Sequence, residues 1–169
     1  DEAFFDVTQY LRFYNKNAKE LAQMLIDEVY QKTGIPATAG VGTNLYLAKV
    51  ALDITAKHNQ SHIACLDEEL YQKTLWSHTQ LTDFWQIGKG IEKRLHKHGL
   101  MTMQDVAMCP QDILYKEFGV NARFLIQHAW GKEPATLQQI KSYQPRPRSI
   151  SNGQVLFGDS AFHDGLLVL

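Results

Sequence analysis

Neither sign of charge is in excess in this chain: Lys and Arg number 17 and Asp and Glu 18, a net charge of −1 over 169 residues. Overall charge therefore announces no polyanion partner, and any basic surface has to be local. Cysteine is scarce. The two present, Cys65 and Cys109, stand in no CxxC spacing and read as reduced thiols, with a single disulfide between them left open. No apolar run is long enough to span a bilayer, no signal-peptide pattern precedes the first apolar segment, and no tract is of low complexity. Neither G-x-x-x-x-G-K-[ST] nor G-x-G-x-x-G occurs, so Gly40-Val41-Gly42-Thr43-Asn44 is not read as a nucleotide loop. There is no initiator Met, and the chain reads as a piece of a longer protein.

What is present starts with an adjacent acidic pair, Asp1-Glu2, running into Ala3-Phe4-Phe5-Asp6-Val7. Phe4 to Tyr10 is short, aromatic and apolar, which predicts a buried strand. Neighbouring side chains of a strand point to opposite faces, so one acid of the pair faces a sheet surface and needs a partner. Hard oxygen ligands of this kind suit Mg²⁺ or Mn²⁺. Without more context a solvated stub is the commoner explanation of such a pair. The 44% hydrophobic fraction is ordinary for a globular chain with a core.

Ala18 to Thr33 carries Leu21, Leu25, Ile26, Val29 and Tyr30 at helical spacing, closed by Gly34. Ala37 to Val41 predicts a second strand beside the first, with the Ala18–Thr33 helix packed across both. Asn44 caps a helix over Leu45 to Lys57, and Ile63 to Cys65 is a third strand. Composition shifts near Thr74. From there to Trp130 the pattern is helices and glycine-marked turns: Ile91–His98, Thr102–Met108, Gln111–Phe118 and Asn121–Trp130. Pro145 and Pro147 predict an extended segment over 142–151, and Gln154–Phe157 is a further strand candidate.

Leu81 to Leu95 fits a helix-hairpin-helix. Its Ile87-Gly88-Lys89-Gly90-Ile91 turn lets consecutive N–H groups point outward at a helix start, where they hold a phosphate. Lys89, Lys93, Arg94 and Lys97 supply the local basic patch, suited to a sequence-independent grip on a DNA backbone. The bland alternative is a tight turn with a solvated basic helix. Gly119, Asn121 and Arg123 mark a second candidate backbone-binding turn. Lys49 and Lys57 read, as helical lysines usually do, as solvated surface. His96 and His98 diverge on a helix, and Trp76, Trp85 and Trp130 read as core.

In order along the chain, Asp1-Glu2-Ala3-Phe4-Phe5-Asp6-Val7, Gly40-Val41-Gly42-Thr43-Asn44-Leu45-Tyr46-Leu47-Ala48-Lys49-Val50-Ala51 and Ile87-Gly88-Lys89-Gly90 resemble the Y-family translesion DNA polymerases, the UmuC/DinB (ImpB/MucB/SamB) group, and most of all its UmuC-like branch from Gram-positive bacteria. The resemblance runs from Asp1 to about Gly158. It implies an α+β fold: a partial palm over 1–74, with a small sheet and two packed helices, an all-α helix-hairpin-helix thumb over 75–141, and an extended linker and start of the little finger over 142–169. Asp1 and Glu2 match the acidic pair of the palm, metal ligands and catalytic residues for two Mg²⁺ ions. Lys57 matches a lysine that contacts the incoming triphosphate, although Asp53-Ile54-Thr55-Ala56-Lys57 carries one residue more than the usual Asp-x-Ala-Lys. Leu45 stands where a lysine is common.

The family's first palm strand, with its further metal-binding Asp, has no counterpart in the sequence, nor have the fingers. The resemblance thus implies a longer polymerase parent, with primer-template DNA, deoxynucleoside triphosphates and a sliding clamp as partners, cytoplasmic and nucleoid-associated, and a fragment that is itself inactive and binds Mg²⁺ poorly. The alternative is a non-catalytic helix-hairpin-helix DNA-binding module. A metal-dependent nuclease lacks a positioned base beside the acids.

Overall fold

A computed structural model describes residues 2–144. Asp1, most of the expected linker and the candidate strand Gln154–Phe157 lie outside the described residues.

The expected first strand does not form. Residues 2–7 make no ladder, and α1 (Thr8–Tyr14) begins where the strand was predicted to continue. The reason is local. Asp6 Oδ1 accepts from the Thr8 N–H at 3.1 Å, the side-chain-to-backbone bond by which Asp diverts a chain out of extended structure. Phe4 then finds its apolar partner in the Trp85 ring, 5.8 Å away, instead of on a sheet. Asn15, at φ 49°, ends α1 in the left-handed region.

Helix α2 (Ala18–Thr33) has the predicted bounds. Asn17 and Glu20 form a reciprocal capping box, and Gly34 closes the helix at φ 70°. It packs on β1 (Ala39–Gly42) and β2 (Ile63–Leu66) and buries Leu21 and Ala22, while Leu25, Val29 and Tyr30 stay exposed. The two strands pair in parallel, Ala39 opposite Ile63 through Gly42 opposite Leu66. Parallel pairing needs a long crossover. Here it is α3 (Leu45–Val50), then a π-helical turn (Ala51–Thr55), then a 3₁₀ turn (Ala56–His58). The single helix expected over Leu45–Lys57 is therefore interrupted: the Ala56 N–H reaches back to the carbonyl of Ala51.

Gly40 and Gly42 are explained by this crossover. A Cβ on Gly42 would stand 2.2 Å from the Ala48 nitrogen, and Gly40 faces α3 just as closely. Strand and helix touch backbone to backbone, which is why the glycines are there without any phosphate to cradle.

After β2 the described residues are helical: α4 (Glu68–Leu75), a 3₁₀ turn (Leu81–Asp83), α5 (Lys89–Lys97), α6 (Met103–Met108), α7 (Gln111–Phe118), a 3₁₀ turn (Gly119–Asn121), α8 (Ala122–Ala129) and α9 (Leu137–Ser142). Position 74, where composition shifts, lies inside α4. One apolar cluster runs from Tyr46, Leu47 and Val50 through Tyr71, Leu81 and Phe84 to Leu95, Met103, Leu114, Leu125 and Ala129. The sheet end and the helical end thus share one core. Polar contacts reinforce the joint. Asn44 accepts from the Leu47 N–H and donates to the Gly131 carbonyl, each at 2.9 Å. Trp76 donates its indole N–H to the Ala129 carbonyl at 2.7 Å. His128, 3% exposed, stacks on Tyr46 with centroids 4.1 Å apart, lies parallel to Trp85, and bonds Glu133 at 2.8 Å.

Candidate functional site

At one end of the core, Glu2 meets the crossover helix. Lys49 Nζ donates to both Glu2 oxygens, at 2.8 and 2.6 Å, and lies 2.8 Å from Asp53 Oδ2. Lys57 Nζ lies 2.6 Å from Asp53 Oδ1 and 3.9 Å from Glu2. Two lysines and two carboxylates thus form a closed network spanning three successive turns of the crossover. Partial burial pulls Lys49 towards its neutral form, but the bonds to Asp53 and Glu2 outweigh it and its pKa ends above the ordinary value. Burial likewise favours the neutral form of Asp53, which would raise its pKa, and is again outweighed, here by Lys49 and Lys57, so its pKa ends below the ordinary value.

The π-turn sets this geometry. Ala51 and Ala56, five residues apart, are both fully buried. In a regular helix the buried stripe would pass from Ala51 to position 55; the wide turn carries it one residue further and takes up the surplus residue between Asp53 and Lys57. The π-helix is rare and occurs mostly as single turns of this kind within α-helices.

Of the residues singled out in the sequence, the structure brings Glu2 and Lys57 together and adds Lys49 and Asp53, which sequence reasoning passed over. Nothing local flagged Lys49: its partner lies 47 positions away. Asp1 is outside the described residues. A divalent cation wants several carboxylate or phosphate oxygens. Among the described residues no group of three or more His, Cys, Asp or Glu is placed to hold a metal, and both oxygens of Glu2 are taken by Lys49. The described donors do not make up a Mg²⁺ site, and no chemical step is derived through one.

The second feature is the turn before α5. Gly88 caps the helix with extended backbone, and the ladder begins with Ile91 and Glu92 donating to its carbonyl. A Cβ added to Gly88 or Gly90 would meet nothing within 4 Å. The packing of the described residues therefore does not require glycine here, in contrast to Gly40 and Gly42, and the turn leaves its backbone open to approach from outside. Ile87 anchors the turn in the core, and Ile91 packs against it half-buried. Lys89, Lys93 and Lys97 recur every four residues, exposed, and make no ion pair among the described residues. Arg94 differs. It donates to the Glu117 carboxylate at 2.7 Å and to the Glu117 carbonyl, and lies over the Phe118 ring, 4.4 Å from its centroid. Its guanidinium ties α5 to the end of α7, while the side chain stays exposed.

The other turn has a different glycine. Gly119 sits at φ 58° and ψ −140°, a region closed to side-chain-bearing residues, so its own backbone requires it. Asn121 precedes α8 without a side-chain cap, Arg123 is exposed, and Val120 projects at 84% exposure. The acidic end and the α5 turn are in contact: Trp85, three residues before Gly88, packs on Phe4, two residues after Glu2.

Residues 1–53 match the impB/mucB/samB family. Over 140 residues the chain is 31% identical to the DNA repair protein homolog YobH of Bacillus subtilis, covering 83% of this chain and 60% of that protein. It is 28% identical to DNA polymerase IV 2 of the same organism over 158 residues, 94% of this chain and 36% of that one. The insertion ternary complex of Dbh DNA polymerase superposes with a TM-score of 0.63 at 27% identity, over 77% of this chain and 38% of that chain. The chain is similar to the impB/mucB/samB family, with the family's own match over residues 1–53. It spans between a third and two thirds of the length of these relatives. The likeness extends well past the matched 53 residues into the helical region, so the crossover helix, the α5 turn and α7–α8 are all part of the shared fold.

Proposed function

We propose that this chain is the palm-and-thumb portion of a template-directed DNA polymerase that copies damaged templates, with synthesis a property of the longer protein. The observation that carries the reading is the joining of Glu2 and the open glycine turn at Gly88–Gly90 on one core, in a fold shared with a polymerase whose ternary complex is known. In this reading Asp1 and Glu2 belong to the reaction centre, and Lys57 meets the triphosphate of the incoming nucleotide. Ile87, Gly88, Lys89, Gly90, Ile91, Lys93 and Lys97 hold the DNA backbone, with Gly119, Asn121 and Arg123 as a second contact. Arg94 serves the turn by fixing α5 to α7. The partners are primer-template DNA and deoxynucleoside triphosphates, with a sliding clamp reached through other parts of the longer protein. Mg²⁺ is the cofactor of that protein, and its place is the nucleoid in the cytoplasm. Among the described residues no helix is long and apolar enough to cross a membrane.

A second reading, a DNA-binding module without chemistry, is favoured by one observation: Glu2 is engaged by Lys49. Both readings require DNA binding by the α5 turn, and activity separates them. Fluorescence anisotropy with primer-template DNA is expected to show weak, sequence-independent binding that falls steeply with salt, through counterion release. Lys89→Glu with Lys93→Glu is expected to abolish it; unchanged binding removes the turn from the DNA interface. In the longer protein Glu2→Gln is expected to abolish primer extension and spare DNA binding. Normal extension by that variant overturns the polymerase role of Glu2.

A further inference from the structure

We infer that Lys49 is a built-in counter-ion that occupies Glu2 and must leave it before any divalent cation can take that carboxylate. The inference rests on the polymerase reading only for the use to which such a cation is put.

The geometry is specific. An ammonium has three N–H donors and no acceptor. Lys49 directs two of them to the two Glu2 oxygens, and its third lies within reach of Asp53 at 2.8 Å, so none remains for water or for a phosphate. Its side chain is 13% exposed, against 46% for Lys57. Lys57 sits outside, bonded to Asp53 and only 3.9 Å from Glu2, and does not hold that carboxylate. Lys49 does so from the last turn of α3, with Val50 and Ala51 buried behind it, which leaves the ammonium little freedom to move elsewhere. Mg²⁺ takes carboxylate oxygens at about 2.0–2.1 Å. An ammonium spanning both oxygens of one carboxylate and a divalent cation on the same oxygens are like charges in one place, and the two exclude each other.

The described network carries two positive and two negative charges. Removing Lys49 leaves Glu2 and Asp53 opposed by Lys57 alone, and the carboxylates are then open to a cation. The incomplete metal site noted above thus has a structural cause as well as a compositional one: a lysine stands at the acid. Lys49 is a positioning residue, acting on the reaction centre through Glu2.

The test uses Mn²⁺ alone, without DNA, so its outcome is separate from that of the DNA-binding experiment. Mn²⁺ binding to the chain is measured by electron paramagnetic resonance for the wild type, Lys49→Met, Lys49→Arg and Lys49→Met with Glu2→Gln. Lys49→Met is expected to bind about tenfold more tightly, from one charge removed at contact distance in a half-exposed site. Lys49→Arg is expected to match the wild type, and adding Glu2→Gln to abolish the gain. Equal or weaker binding by Lys49→Met, or a gain that survives Glu2→Gln, overturns the inference. A wild-type measurement covers a variant that fails to fold. The Lys49 ammonium, held by three short contacts, is expected to give a slowly exchanging ¹⁵N signal that disappears as Mg²⁺ is titrated in. Persistence of that signal while the Glu2 carboxylate responds to Mg²⁺ overturns the inference too.

Discussion

A Cβ built on Gly40 would stand 2.1 Å from the carbonyl oxygen of Ala48, which is to say that β1 lies directly against the backbone of the crossover helix. The next atoms are the nitrogen and Cβ of Leu52, at 2.5 and 2.8 Å, so the neighbours that would have to give are mostly main chain. Gly40→Ala is accordingly expected to destabilise the chain by at least ~3 kcal/mol, the upper end of ordinary overpacking costs. Urea unfolding checks this, and a midpoint equal to wild type refutes it.

Gly90 gives the reverse expectation. It lies in the first turn of α5 with open space where a Cβ would be. Gly90→Ala is expected to leave stability unchanged or raise it by about 0.5–1 kcal/mol, the helix preference of alanine. If backbone approach by DNA is the reason for glycine here, the same substitution weakens DNA binding. A variant with raised thermal midpoint and unaltered DNA affinity would show that the glycine serves something else.

Glu117 links acid stability to the joint between α5 and α7. Hydrogen bonds from Arg94, and then from His98, hold its carboxyl down at about 2, against an ordinary 4.5. A depressed carboxylate pKa stabilises the fold above the unfolded value, and that contribution is lost as pH falls through the folded one. The difference in thermal midpoint between wild type and Glu117→Gln is therefore expected to be full above about pH 5 and to shrink towards about pH 2. A difference independent of pH across that window would show that the Arg94 contact is steric and not ionic.

His128 works in the opposite part of the scale. Burial pushes its pKa below the ordinary 6.5, partly offset by Glu133, while Tyr46 and Trp85 face its ring. Below about pH 6.5 the unfolded chain takes up a proton that the folded chain resists. The contribution is present in full above that pH and lost as pH falls through the folded pKa. His128→Gln is expected to be less stable at pH 7.5 and to show a flatter loss between pH 6.5 and 5. A wild-type stability curve that is level over that interval, measured by calorimetry, would rule this out.

How far the sequence reveals these features differs from element to element. Helix α2 is legible to the residue, because Asn17, Glu20 and Gly34 write both ends in local chemistry. The segment after Glu2 is not. A run of Phe, Phe, Val and Tyr supports a strand by composition, and only the Asp6–Thr8 bond shows the chain turning into a helix. The crossover reads as one helix because a π-turn has no composition of its own; the surplus residue before Lys57 is its one trace. Lys49 and Arg94 illustrate the same gap. Their residue type is visible in the sequence, but Glu2 and Glu117 are brought to them by the fold.

Asn44 and Trp76 grip the carbonyls of Gly131 and Ala129 across the shared core. Those two bonds tie the crossover and the end of α4 to the end of α8, so the sheet end and the helical end are joined by polar contacts as well as by the core. Strain introduced at either end is then shared by both, and the two are expected to open as one cooperative unit.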